Sequence, residues 1–266
     1  MNIIEFELNN VKRNIIEGVV ELLPNDSITK FLNGSGKMIR SKIALLYFLA
    51  QEQILNNEIF QILSAVEILH NASLLHDDVI DEALLRRGKT TIANEYTDKV
   101  SILIGDYLIF LAFEKIVDLD SKINEIFKQS SKNMVEAELR QYFNKNRVVS
   151  EEEYLAICCG KTASLFVASL ESVSTYLGLN VDLARKFGKL FGIIFQIKND
   201  LEEYSAEEDS KNKIFTAKDV LGIEKTKLLL DNYKEEMFGI INNFSDNVYK
   251  KALEDLIKDL CTIERS

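Results

Sequence analysis

Residues 57–82 read NEIFQILSAVEILHNASLLHDDVIDE. Ile59, Ile62, Leu63, Val66 and Leu69 recur at three- and four-residue steps, Leu74 follows, and no two-residue alternation competes with them. The spacing predicts one long helix over 57–81. Similar spacing recurs nearly everywhere along the chain, so the fold class is all-α. The other helices are expected at 2–22, 37–55, 98–117, 121–145, 150–178, 181–204, 217–232 and 246–263. Local punctuation agrees with this reading. Ser150 with Glu153 forms a capping-box pattern, Asn25-Asp26-Ser27 can start a helix, and Gly178-Leu-Asn180 can end one helix and cap the next. Residues 102–113 and 190–195 are apolar on more than one face, which places them centrally in a bundle or against another subunit. The most polar stretch, 206–216, reads as a loop.

Composition supports long helices. Of 266 residues, 47% are hydrophobic and 28% charged, and one proline with eleven glycines is too few breakers for a turn-rich β chain. No gap is long or of low complexity, so residues 1–266 are read as a single domain. The 32 basic and 42 acidic residues leave a net charge of -10, which repels nucleic acid and anionic membrane; any bound anion must meet a local basic cluster. Three cysteines, Cys158, Cys159 and Cys261, form neither a disulfide framework nor a spaced zinc set, which fits a reducing cytoplasm. The acidic start, Met1-Asn-Ile-Ile-Glu-Phe-Glu, lacks the base of a secretory signal, and no uninterrupted apolar run reaches the roughly 18 residues of a span. The protein is expected to be soluble, cytoplasmic and not membrane-spanning.

At the end of the quoted helix, Asp77 and Asp81 stand one turn apart and Asp78 lies three residues before Asp81. Convergent carboxylates repel one another unless a cation joins them, and hard oxygen ligands favour Mg²⁺, which keeps waters and recruits phosphate oxygens. The alternative is a solvated acidic helix end. Arg86, Arg87 and Lys89 follow directly, and acid for a metal beside base for an anion suggests a diphosphate site. A second polar stripe, Gln196, Asn199, Asp200 and Glu203, falls at i, i+3, i+4 and i+7 on an otherwise apolar helix. It either meets partners or marks the helix emerging into solvent. Gly34-Ser35-Gly36-Lys37-Met-Ile-Arg40 sets Lys37 and Arg40 one turn apart after a glycine-bearing turn, and Gly160-Lys161-Thr162 offers a second lysine with a hydroxyl. In both, solvated lysines are the default reading. His70 and His76 are the only histidines, too few for a metal-dependent phosphohydrolase. His70 lies two turns before Asp77, where it either donates to a phosphate or sits satisfied in the core.

Taken in this order, Ser35-Gly36-Lys37-Met-Ile-Arg40-Ser41, then His76-Asp77-Asp78-Val-Ile-Asp81 through Arg86-Arg87-Gly88-Lys89, then Gly160-Lys161-Thr162, then Phe195-Gln196, the chain resembles the trans-isoprenyl (polyprenyl) diphosphate synthases. The resemblance covers about residues 30 to 230. It implies the isoprenoid synthase fold, a bundle of long helices around a deep cavity, usually as a homodimer, with the two acidic motifs facing each other across its mouth. It also implies a Mg²⁺-dependent transfer of an allylic prenyl group to isopentenyl diphosphate, with three Mg²⁺ when substrates are bound. By the same resemblance Asp77, Asp78 and Asp81 bind Mg²⁺ bridging the allylic diphosphate, helped by Arg86, Lys161, Thr162 and Gln196. Asp200 and Glu203 hold a further Mg²⁺, and Lys37, Arg40, His70 and Arg87 bind isopentenyl diphosphate.

One turn, about 6 Å, below Asp77 the helix should carry Ala72 and Ser73 on the cavity wall. Both are small, where members stopping at fifteen carbons carry an aromatic plug or two extra residues in the aspartate motif. A medium or long product, above twenty carbons, is therefore expected, with Phe110, Phe113, Tyr142 or Phe143 as candidates for the tunnel floor. The chain departs from the family pattern at Asn199, which replaces a charged ligand, and at Ser35 and Ser41, which replace a glycine and a proline. The lysine loop after the second motif is shortened, leaving Lys211 or Lys213. These departures motivate two rivals: a class I terpene cyclase, whose second motif Asn199 and Glu207 would fit although Glu203 stands where a hydroxyl residue belongs, and a regulatory subunit of a heteromeric synthase; on product length the alternative is a short-chain farnesyl or geranylgeranyl diphosphate synthase.

Overall fold

The computed structural model describes residues 3–20, 31–32, 37–201 and 215–262. Its described part is all-α apart from one short hairpin. The elements are α1 (Ile3–Val20), α2 (Ile39–Leu49), α3 (Asn57–Ile80), β1 (Leu85–Arg86), β2 (Lys89–Thr90), α4 (Ile92–Glu95), α5 (Asp98–Glu114) and α6 (Ser121–Phe143), followed by α7 (Glu151–Leu177), α8 (Val181–Leu201), α9 (Ala217–Leu221), α10 (Ile223–Ile241) and α11 (Val248–Cys261). The chain divides into two compact units, Met1–Leu45 with Ile54–Asn124, and Leu46–Gln53 with Glu125–Ser266.

In the first unit α3 is the central element. Asn56 caps it, its side chain accepting from the Ile59 N–H at 3.1 Å. Ile59, Ile62, Leu63, Val66, Ile68 and Leu75 have no exposed surface. At about 1.5–3 kcal/mol for each buried side chain, these alone match the whole net stability of a typical domain, so tertiary burial sets where this helix lies. The Ser64 hydroxyl donates to the Val11 carbonyl of α1 at 3.1 Å. On α5, the Ser101 hydroxyl donates to the Leu75 carbonyl at 2.9 Å. Gly105 permits this close approach: a Cβ there would lie 2.3 Å from the His76 ring. After α3 the chain turns through β1 and β2, which pair antiparallel around Arg87 (φ 51°) and Gly88 (φ 74°). Two successive positive φ values are the geometry of a tight two-residue hairpin.

The second unit is held by α7 and α8. Gly178 ends α7 in the left-handed region (φ 67°), and the Asn180 side chain accepts from the Leu183 N–H at 3.0 Å to start α8. The expected stop-and-cap is therefore present. Phe166 packs on Phe191 with ring centroids 5.1 Å apart, and Tyr47 packs on Phe187 at 4.9 Å. Gly192 sits so close to α7 that a Cβ would fall 2.4 Å from the Ala163 Cα. At that crossing α7 is not a regular helix: Cys159–Ala163 forms a π turn.

Several boundaries move from their expected places. The helix expected over 217–232 is two helices, broken at Gly222 (φ 73°) and running on to Ile241. The helix expected to reach residue 117 ends at Glu114, and α2 is shorter than 37–55. The segment Asn25-Asp26-Ser27 and most of 206–216 lie outside the described residues. Among the described residues one helix, Glu151–Leu177, has the length and mean hydropathy (1.3) of a membrane span, and 72% of its apolar window is buried inside the protein. Its hydrophobicity is thus used by the core.

Candidate active site

The first acidic motif sits at the C-terminal end of α3, where the Asp81 N–H closes the helix onto the Asp77 carbonyl. The three aspartates do not share one environment. Asp78 is 1% exposed and accepts from Arg86 Nε at 2.7 Å, an ion pair that fixes the hairpin against the helix. Asp77 and Asp81 are half-buried. Two carboxylates one turn apart at the negative end of a helix dipole suit a cation electrostatically. Among the described residues no three His, Cys, Asp or Glu side chains form a ready-made metal set. Mg²⁺ does not need one, because it takes one or two carboxylates and completes its octahedron with water and substrate phosphate. Asp77 and Asp81 fit that donor set.

A basic cluster lies in the same unit. Arg40 is 7% exposed, and burial lowers its pKa to about 10 against the raising influence of Glu67. It therefore stays charged at neutral pH. Glu67, 2% exposed, accepts from the Ser41 N–H at 2.9 Å and the Ser41 hydroxyl at 2.8 Å. This gives the departure at Ser41 a reason, since a proline could donate neither bond. His70 is held well below its ordinary pKa by burial first, and then by the charges of Arg40, Arg86 and Arg87. Arg40 and Arg87, expected with His70 at one anion site, and Arg86, expected at the allylic diphosphate, thus all act on the His70 imidazole, which is neutral. Lys37 is exposed nearby in sequence, while Ser35 and the glycines beside it lie outside the described residues. Lower on α3, Ala72 is fully buried, and the half-buried Ser73 donates its hydroxyl to the His70 carbonyl at 2.9 Å. His76 stands 3.3 Å from Asp106 Oδ1.

The second unit gathers the remaining candidates. Gly160, Lys161 and Thr162 all fall on the π turn, a distortion often found at functional sites. Lys161 Nζ lies 2.6 Å from Glu138 Oε2. The Thr162 hydroxyl donates to Gln196 Oε1 at 2.5 Å, and the Gln196 amide donates to Asp200 Oδ1 at 2.6 Å. Asp200, expected to hold a metal, is 5% exposed. Its Oδ2 accepts from the Tyr154 hydroxyl at 2.6 Å and the Ala217 N–H at 2.9 Å. Burial raises its pKa, and the bonds from Tyr154, Gln196 and Ala217 oppose that rise. The stripe at Gln196 and Asp200 meets partners; it does not emerge into solvent. Glu203 and Lys211 lie outside the described residues.

Sequence reasoning passed over Glu67, Glu138 and Tyr154. Glu67 did carry a signal, a lone acid inside the apolar run Ala65-Val66-Glu67-Ile68-Leu69. The other two are ordinary residues of amphipathic helices, and only the fold reveals their partners. Among the tunnel-floor candidates, Phe110, Tyr142 and Phe143 are 73%, 51% and 72% exposed. None of those three closes a passage buried within this chain; Phe113 is half-buried.

Comparison with known proteins agrees with this geometry. A family model described as polyprenyl synthetase matches residues 23–262. The octaprenyl diphosphate synthase of Escherichia coli (strain K12) is 33% identical over 187 residues, 68% of this chain and 58% of that protein. The short chain isoprenyl diphosphate synthase of Methanocaldococcus jannaschii is 29% identical over 270 residues, 92% of this chain and 82% of that protein. The crystal structure of a polyprenyl synthase from Caulobacter crescentus, complexed with calcium and isoprenyl diphosphate, has a TM-score of 0.85 over 98% of this chain and 96% of that one, at 24% identity. The chain spans little more than half the length of the long-chain relatives it matches.

Proposed function

Because this chain belongs to the polyprenyl synthetase family, we propose that it condenses isopentenyl diphosphate with an allylic prenyl diphosphate to give a longer trans-polyprenyl diphosphate. The carrying observation is the cluster of Arg40, Arg86 and Arg87 around a neutral His70, on the same helix-and-hairpin unit as Asp77, Asp78 and Asp81. Guanidinium groups grip a diphosphate in two-point fashion, and an uncharged imidazole adds a hydrogen-bond donor. Lys37 extends that site for isopentenyl diphosphate.

The allylic diphosphate is assigned to Asp77 and Asp81, through Mg²⁺, with Arg86; Asp78, expected beside them as a ligand, is 1% exposed and paired with Arg86, and serves to hold that guanidinium in place. Bound there, the cation supplies neutralisation of the charge that grows on the departing diphosphate. In the condensation the allylic C–O bond breaks and diphosphate leaves, the double bond of isopentenyl diphosphate forms the new C–C bond, and one proton passes from that unit to the released diphosphate. Lys161 serves the diphosphate side. The Thr162 proton is committed to Gln196, so its oxygen remains an acceptor, suited to an electron-poor carbon. Glu203 and Lys211 keep the auxiliary metal and phosphate roles that the resemblance gives them.

A product above twenty carbons is supported by small Ala72 and Ser73 one turn below Asp77 on an unbroken α3, and by the octaprenyl-forming relative. Residues 1–266 act as one catalytic domain. A homodimer is supported by exposed apolar residues on two helices, Leu103 and Phe110 on α5, and Val135, Leu139 and Phe143 on α6. Three free cysteines support a cytoplasmic site.

The test is purified protein with Mg²⁺, isopentenyl diphosphate and allylic starters of increasing length, with products sized by chromatography. Polyprenyl diphosphates beyond twenty carbons are expected. Products stopping at fifteen or twenty carbons would identify a short-chain synthase, a hydrocarbon a cyclase, and activity only with a second protein a subunit.

A further inference from the structure

Asp200 belongs to an acidic motif, yet its surroundings are those of a buried structural acceptor. Three donors reach it from three places: the Tyr154 hydroxyl of α7 at 2.6 Å, the Gln196 amide of its own helix at 2.6 Å, and the Ala217 N–H that opens α9 at 2.9 Å. Both carboxylate oxygens are engaged, and only 5% of the residue is exposed. An ion would have to displace neutral donors that already compensate a buried charge, and such donors are costly to leave unpaired. The residue before it, Asn199, is a neutral amide and a poorer ligand for Mg²⁺.

We propose that Asp200 is a positioning residue and not a cation ligand: braced by Tyr154 and the Ala217 N–H, it orients the Gln196 amide and, through it, the Thr162 hydroxyl on the π turn. An amide side chain can present either its oxygen or its NH₂ group. A carboxylate accepts only, so it forces the NH₂ group of Gln196 toward itself and the carbonyl toward Thr162. Without that constraint the amide can rotate, and Thr162 is free to point its proton elsewhere. Tyr154 matters because it is the hydroxyl that holds the carboxylate from behind. This reading gives the second acidic motif of this chain a different task from the first, and it rests on the prenyl-transfer assignment only for its kinetic arm.

The test uses the full chain with Asp200→Asn, Tyr154→Phe and, as the cation-ligand control, Asp77→Asn. Free Mn²⁺ is read by electron paramagnetic resonance during titration in the presence of inorganic diphosphate. Asp77→Asn is expected to weaken Mn²⁺ binding tenfold or more, and Asp200→Asn less than twofold. Tenfold weakening in Asp200→Asn overturns the proposal. In the kinetic arm, Tyr154→Phe lowers kcat about tenfold and leaves KM for both diphosphates and the half-saturating cation concentration within twofold. An unchanged kcat overturns the proposal, and this variant carries the test if Asp200→Asn does not fold. Should the chain have no prenyl-transfer activity, the functional reading fails alone. The ¹⁵N signals of the Gln196 side-chain amide still report its orientation: they shift in Tyr154→Phe if Asp200 holds the amide, and unmoved signals reject the idea.

Discussion

The two acidic helix ends of this chain solve the same electrostatic problem in opposite ways. At the end of α3 the buried aspartate, Asp78, is compensated by a full charge on Arg86, and its neighbours Asp77 and Asp81 stay half-buried. At the end of α8 the buried aspartate, Asp200, is compensated by neutral donors alone. A charged partner fixes one carboxylate and sets a positive charge beside the adjacent acids. Neutral donors engage both oxygens of the carboxylate. Similar one-dimensional patterns therefore describe one open end and one closed end.

The comparison breaks most visibly through catalysis. Asp81→Ala removes a carboxylate that would hold the cation, and with it the positive charge that balances the departing diphosphate, so turnover should fall about 10²–10³-fold. Steady-state kinetics with varied Mg²⁺ checks this, and a loss under threefold would erase the distinction. Next in size, Arg86→Leu removes the ion pair of Asp78, whose side chain is 1% exposed. Urea unfolding should show a loss of about 3 kcal/mol, the usual cost of removing one partner of a buried pair. The closed end should prove gentler: Tyr154→Phe deletes one neutral hydrogen bond and should cost about 1–1.5 kcal/mol in the same assay. Equal losses at the two ends would mean that charge and neutral donors are interchangeable here.

The smallest effect is a pH slope. In the folded chain His70 is held well below its ordinary pKa by burial and by Arg40, Arg86 and Arg87, so near pH 6 the unfolded chain binds the proton and the folded chain does not. Stability should therefore rise with pH through the window below about 6.5 and level off above it, with a slope of at most about 1.4 kcal/mol per pH unit. Unfolding of wild type and His70→Gln at pH 5.5 and 7 measures it. The wild type should lose more on acidification than the variant; equal losses would remove His70 from the basic cluster.

Much of this architecture was legible in the residues. The spacing of Ile59, Ile62, Leu63 and Val66 located α3, and Gly178 with Asn180 marked the junction of α7 and α8, because both signals are local. The family resemblance set Arg40 and Arg87 with His70 but put Arg86 with the aspartates; that all three arginines act on the imidazole came from the fold. What a stripe faces is not local. The spacing of Gln196 and Asp200 defined a shared helix face, but only the packing of Tyr154 and Ala217 against it showed that the acid points inward. The break at Gly222 was visible as a glycine, yet the apolar spacing on both sides hid it. Ser41 looked like a lapse from the family pattern until Glu67 was found beneath it.

The π turn at Cys159–Ala163 has a genetic reading as well as a geometric one. A π turn accommodates one residue more than an α-helical turn, and one residue is about 100° of rotation around a helix. If the same residues were wound as regular α-helix, the Glu151–Cys158 portion would turn by about that angle relative to Ser164–Leu177. Tyr154 would swing off the line that reaches Asp200, with every other side chain unchanged in identity. The phase of α7 is thus set by counting: losing one residue within the π turn and relaxing it to α keeps that phase, whereas inserting or deleting one residue in the regular turns on either side shifts it.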